Sequence, residues 1–425
     1  MFIARSSGRV RFARTAFVLA GLLPCAGLVA WAAHLRSAGH RESVRRAWAQ
    51  AVGLPVGTAG IEYVRPGTIR ARDVTLGAAA GGPVLAADAV EVETTATEVR
   101  VRLGSLRCDA AAARLLAGLA AEWLERGDRF PRDCVVEVAD FDWQTAAGAA
   151  APTALRIECV AQGDARAVRV VRRWDDAGDE LRLVRSTGPD APADAAWELE
   201  AACARPIPLE ILAAVAGDTP VAALSLGATA TVTGSLTASR GAGAWRGHTH
   251  GRVRGVDLTA CTAALPGRAS GAAELVVSGL DWEDGRLVTA AGELRAGPGR
   301  VEQRLLDALV SVAGCRPGVA FSGGGAADRG FTTAACGLAI DGRGIEVRGL
   351  DRGDGAVVMA DQATVLHQPA SAVPPERIAW LLAPPTAVYV PSAGSGGWLL
   401  SILPRGGAAR DRTSQAGPAG ETRDF

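Results

Sequence analysis

The most chemically suggestive spacing in the chain is His248-Thr249-His250. On a β-strand, residues i and i+2 share a face, so two imidazoles there could approach one metal ion. No acid or cysteine lies beside them in sequence to complete a coordination shell, and His34, His40 and His367 are scattered. An exposed strand or turn is therefore expected, with no metal site. Ala223-Leu224-Ser225-Leu226-Gly227 falls one residue short of G-x-S-x-G. A nucleophile elbow needs a strained strand-to-helix turn, whereas Ser225 sits on the polar side of a regular alternation. Asp140 and Asp142 share a strand parity, and Asp175-Asp176 is a second acidic pair. Such pairs bind cations or move protons when a pocket converges on them, and flank solvated turns otherwise. Gly323–Gly325 lacks the helix that a phosphate cradle requires. The chain has no lysine at all, which removes P-loop, Schiff-base and kinase chemistry. No catalytic residue and no cofactor is expected.

Eight cysteines stand singly at Cys25, Cys108, Cys134, Cys159, Cys203, Cys261, Cys315 and Cys336. Without a C-x-x-C, zinc ribbons and thioredoxin-type motifs have no support. These thiols are expected to act as small buried hydrophobes. If the compartment is oxidising, Cys315 and Cys336 are the first pair to consider.

Arginines and acids balance at 45 each, which argues against nucleic acid as a partner. The distribution is uneven. Arg5, Arg9, Arg11 and Arg14 precede the uncharged run Thr15–Ala33, and Arg36, Arg41, Arg45 and Arg46 follow it. Nineteen apolar residues at 1.5 Å each match a hydrocarbon core of roughly 30 Å. The run reads as a membrane anchor with a cytoplasmic N-terminus. Its rival is a cleaved signal peptide, because Ala30-Trp31-Ala32 is an A-x-A site.

Beyond the anchor, Ser37–Val52 is a polar helix stopped by Gly53. Short alternating segments follow: 68–76, 84–93, 97–103, 135–143, 155–161, 167–173, 180–185 and 197–201. Helices are expected over 109–126, 208–216, 299–313 and 375–382, and further strands over 247–258, 271–280, 286–296, 331–341, 344–350 and 356–366. Residues 224–239 alternate throughout. Leu224, Leu226, Ala228, Ala230, Val232, Gly234, Leu236 and Ala238 form one face; Ser, Thr and Gly form the other. A single strand there would span about 50 Å at roughly 3.3 Å per residue. The small side chains on its apolar face would leave space for a ligand chain. Leu224 to Leu236 on that face are the lipid-groove candidates.

The order of features resembles the AsmA-like family of envelope proteins, relatives of the bridge-like lipid-transfer proteins. Val64-Arg65-Pro66-Gly67-Thr68-Ile69-Arg70-Ala71-Arg72-Asp73-Val74-Thr75-Leu76, then Pro83-Val84-Leu85-Ala86-Ala87-Asp88-Ala89-Val90-Glu91-Val92, is similar to the family's N-terminal pattern. Segments 251–258, 282–287 and 342–350 are similar to its later module. The resemblance implies a long twisted antiparallel sheet forming a half-open groove, mainly β with a few helices, behind one transmembrane helix. It also implies placement on the bacterial inner membrane with the bulk periplasmic. Membrane lipids, and envelope proteins, would be the partners. The expected organisation is an anchor over 1–35, β modules over 36–202 and 203–404, and a disordered tail over 405–425. Two functions stand: lipid binding or transfer in envelope biogenesis, and a structural role in which the one-sided sheet binds partner proteins.

Overall fold

The computed structural model describes residues 7–374 and 377, apart from 78–83, 126–131, 146–147, 150–152, 174–178, 188–195, 217–225, 242, 264, 322–327 and 352. The expected helix over 375–382 and the tail lie outside the described residues.

The N-terminal apolar segment is one continuous rod: α1 (Ser7–Phe17), a π-helical turn (Val18–Leu22) and α2 (Leu23–Arg36). Pro24 explains the wide turn. It has no N–H and its ring crowds the carbonyl one turn back, and a π-turn relieves both. The stretch Arg11–Arg36 is long and apolar enough to cross a membrane, and none of it is buried within the protein. Ser37 breaks the rod with an extended ψ of 150°, and its Oγ accepts from the His40 backbone N–H at 3.2 Å to cap α3 (Ala38–Val52). Gly53, at φ 77°, ends α3.

The remaining chain is a very large open sheet. Fifteen long strands follow in chain order: β1 (Gly60–Arg65), β2 (Thr68–Gly77), β3 (Val84–Thr94), β4 (Glu98–Cys108) and β5 (Asp133–Thr145). Next come β6 (Thr153–Gln162), β7 (Ala165–Arg173), β8 (Asp179–Ser186), β9 (Ala196–Pro208) and β10 (Thr231–Gly241). The last are β11 (Ala244–Asp257), β12 (Ala272–Glu283), β13 (Arg286–Ala296), β14 (Thr333–Asp341) and β15 (Gly344–Gly349). Each pairs with the next, so spatial order equals chain order from β1 to β15. All these pairs are antiparallel except β4–β5, which is parallel. The crossover there is α4 (Ala110–Glu125), since a parallel connection needs a long return path. Among the described residues β1 and β15 do not pair with each other, so the sheet stays open rather than closing as a barrel.

Three helices lie on one face. α3 places Trp48 and Ala49 against Ala71, Val74 and Val90. In α4, Asp109 caps the first turn, its Oδ1 accepting from Ala112 N at 2.7 Å. Ala112, Ala113, Trp123 and Leu124 then pack over the strands from β3 to β9. Leu124 is fully buried, worth about 2 kcal/mol by apolar transfer. α5 (Leu209–Ala216) joins the two halves: Ile211 packs with the α4 core and Leu209 with the core below β10 to β14. That lower core is closed by the short α6 (Leu258–Cys261), by Leu305 and Leu306 of α7 (Gln303–Ser311), and by a hairpin of β16 (Ala356–Ala360) and β17 (Ala363–His367). A separate three-stranded sheet, 269–270 with 299–302 and 328–331, flanks it.

Several sequence expectations change. The helix expected from residue 299 begins at Gln303, because Gly299–Glu302 pairs as a strand. Segment 356–366 is a hairpin that turns at Asp361, φ 52°, rather than one strand. The eight cysteines are unpaired in this structure, as small side chains of which Cys108, Cys315 and Cys336 are buried, Cys25 is exposed and the others are half-buried.

Candidate functional site

Register reveals what no single strand does. Tyr63 opposes Ile69, then Val92, Val101, Val136 and Ile157 follow in line across the sheet. The same row runs on through Val170, Leu181, Ala201 and Leu236. It ends through Thr249, Leu280, Ala290, Ile340 and Ile345. Thus one row of side chains, apolar but for Thr249, crosses all fifteen strands. At roughly 4.8 Å between strands its contour is about 65 Å.

The opposite face is ionic. Arg70, Glu91, Arg102, Glu137 and Arg156 are successive register partners. They form a charge-alternating ladder with contacts of 2.9, 3.4, 3.4 and 3.2 Å. Hydrogen bonding to Arg70 holds the Glu91 carboxyl below the usual glutamate range, and Arg169 does the same for Glu180. His248 and His250 lie on this outer face. Asp281 bonds His248 Nδ1 at 2.8 Å and Ser235 bonds His250 Nδ1 at 3.0 Å. No group of three metal-ligating side chains occurs among the described residues.

The apolar face divides by what covers it. Over β1 to β4 lies α3, and over the strands from β3 to β9 lies α4. The lower edge of β10 to β14 belongs to the closed core. Above that core, Leu236, Val277, Leu280, Leu338 and Ile340 are half-buried and join no core cluster of the described residues. This uncovered surface is the candidate site.

The structure redistributes the sequence candidates. Leu224 lies outside the described residues. The strand starts at Thr231, not at 224: Gly227 takes φ 97°, and Ala228 and Thr229 form an exposed turn. A Cβ on Gly227 would lie 2.7 Å from the Asp257 Cβ, so the chain there crosses β11 too closely to continue the ladder. Leu226 and Val232 pack on the lower core, and Ala230 is 1% exposed within it. Leu236 alone among the large candidates reaches the uncovered face. Gly234 is beside it, but its lack of a side chain serves the backbone. At φ 145° its absent Cβ would point into Gly251 Cα, 2.6 Å away. Gly234, Gly251 and Gly292 lie in one row across β10, β11 and β13, with Val277 between the last two. Glycine in a strand interior permits close approach and sharp bending.

One pair of charges interrupts the apolar face. Arg172 of β7 and Asp179 of β8 are register partners, both buried, with Nε to Oδ2 at 2.7 Å. The other carboxylate oxygen accepts from the backbone N–H groups of Ala204 (2.6 Å) and Arg205 (3.2 Å). Those two residues sit in the β9 bulge between Cys203 and Ile207, where the sheet passes from the α4-covered half to the uncovered half. This pair was not among the residues singled out from the sequence, although its signal is there. Val168, Val170 and Arg172 share a parity, as do Asp179, Leu181 and Leu183, so each charge falls on an apolar side.

Comparison with protein-family models, with curated proteins and with solved structures found no match.

Proposed function

We propose that this chain is a membrane-anchored lipid-binding or lipid-transfer protein of the AsmA-like kind, holding acyl chains against the uncovered apolar face of β10 to β14. The observation that supports it most is the in-register apolar row across fifteen strands, which no described helix or core cluster covers at Leu236, Leu280 and Ile340. Exposed contiguous apolar surface on one element marks an interaction site. Acyl chains suit it because each buried CH₂ contributes about 0.8 kcal/mol without needing a directional partner. The adjoining anchor would keep that face beside its source of lipid. The arginines before the anchor favour a cytoplasmic N-terminus and a periplasmic sheet on the bacterial inner membrane. Envelope biogenesis is the process such a protein would serve.

The test is cross-linking in membranes with a phospholipid carrying a diazirine on its acyl chain. Labelled peptides should map to β10 to β14, at Leu236, Leu280 or Ile340. Label confined to the anchor would refute the reading. A stoichiometric protein bound over the same strands, with no lipid, would favour the structural alternative.

A further inference from the structure

Cys134 of β5 and Cys159 of β6 are direct register partners on adjacent antiparallel strands. They lie in the row Val99, Cys134, Cys159, Val168, Leu183 and Leu199, beneath Trp123 and Leu124 of α4. Both are half-buried, and both are free thiols here. We propose that Cys134 and Cys159 form a disulfide that staples β5 to β6 under α4.

The geometry meets the requirement closely. Directly opposed antiparallel residues have Cβ atoms about 4.5–5.5 Å apart. A disulfide needs about 3.5–4.5 Å, and its usual Cα separation of 4.4–6.8 Å includes that of opposed strand residues. A movement of about 1 Å closes the gap. The thiols also sense each other: burial chiefly, and then the neighbouring Cys134, push Cys159 up to about 12. Burial chiefly raises Cys134 to about 11. Thiols so suppressed exchange slowly once α4 is packed, since the thiolate is the attacking species. The bond therefore forms as the chain folds and is protected afterwards.

The step balances by thiol–disulfide exchange with a dithiol oxidant in its disulfide form. The thiolate of one cysteine attacks a sulfur of the oxidant, and one oxidant thiol leaves. The second cysteine then attacks the resulting mixed disulfide and expels the other. Two S–H bonds are lost, one S–S bond forms, and the oxidant is reduced to its dithiol. The proposal rests on the extracytoplasmic placement argued above, because cytoplasmic thiols stay reduced.

The experiment uses the full-length protein in its own cells. Acid-quenched cells are denatured and blocked with N-ethylmaleimide. They are then reduced, alkylated with iodoacetamide, and mapped by peptide mass spectrometry. Cys134 and Cys159 should carry only the second label, and an unreduced sample should contain their linked peptide, two hydrogens lighter than the separate peptides. In Cys134→Ser, Cys159 should shift entirely to the first label. Both cysteines blocked by maleimide in the wild type would overturn the proposal, as would Cys159 keeping the second label in Cys134→Ser. Diamide treatment of the same membranes then separates two causes of failure. A link formed only with diamide indicts the compartment, whereas no link even then indicts the register.

Discussion

Replacing Ala230 and Ala290 by aspartate applies the same chemical change to the two surfaces that the fold distinguishes. Ala230 is 1% exposed and belongs to the lower core with Leu209, Val256, Leu258 and Leu306. Its backbone is already committed: the carbonyl accepts from Leu209 N at 2.9 Å. An aspartate there finds no described cationic partner in that core. Burying an unpaired polar group costs about 2–7 kcal/mol, and forcing extra atoms into a packed core adds about 1–3 kcal/mol. The sum is comparable with a whole domain's stability of roughly 5–15 kcal/mol. A loss of at least about 6 °C in Tm follows at roughly 2–4 °C per kcal/mol, or failure to fold. Ala290 sits half-buried between Leu280 and Ile340 on the uncovered face. A carboxylate there reaches water, so the cost should be under about 1 kcal/mol and the melt should stay within about 3 °C. It would, however, place a charge where acyl chains are proposed to lie, and bound lipid should fall sharply. Tryptophan fluorescence melts, served by ten tryptophans, and native mass spectrometry of the detergent-extracted protein read both outcomes. If Ala290→Asp melts as early as Ala230→Asp, the upper face is a closed core. If it folds and keeps its full lipid load, lipid binds elsewhere. A native-like Ala230→Asp would refute the closed lower core.

Three further outcomes are expected. Arg172→Ala should cost about 3–5 kcal/mol, because it strands the buried Asp179 carboxylate, whereas the double change Arg172→Leu with Asp179→Leu should recover most of that loss; chemical denaturation compares them, and a double variant as unstable as the single would show that the packing, not the stranded charge, matters. Stability should form a plateau in pH. Glu91 and Glu180 titrate below the usual glutamate range when folded, so their contribution is full above about pH 4.5 and is lost as pH falls through the folded values. Burial raises the Cys108 thiol to about 12, so the unfolded chain ionises first and stability declines above about pH 8.5; a Tm that falls as pH rises through the acid range would contradict the first sign, and one that still climbs above about pH 8.5 would contradict the second. A phosphatase that works only outside the cytoplasm, fused after Pro404, should be active if the anchor spans once with its N-terminus inside, and its silence beside an active cytoplasmic reporter at the same site would reverse the topology.

Much was legible from residue order because it depends on local physics. The long apolar N-terminal helix showed in an uncharged run flanked by arginines. The helix starts near Ser37 and Asp109 showed to within a residue, the structure adding that both side chains cap by accepting a backbone N–H, and the stop at Gly53 showed in its tolerance of positive φ. Most strands appeared as alternation, so a mainly β, one-sided sheet followed from period alone. Alternation also misled. Residues 224–239 keep perfect parity, yet the strand begins at Thr231, because parity records only which side a residue prefers and not whether a partner strand lies beside it. Only the tertiary structure decided how fifteen short apolar segments line up, since register depends on residues far apart in the chain. It also decided which part of that face α3, α4 and the lower core cover, and so separated buried Ala230 from uncovered Leu236. It brought Cys134 against Cys159 and Arg172 against Asp179, pairs of which sequence shows the members but not the meeting. Local periodicity determined the faces; long-range pairing determined what each face meets.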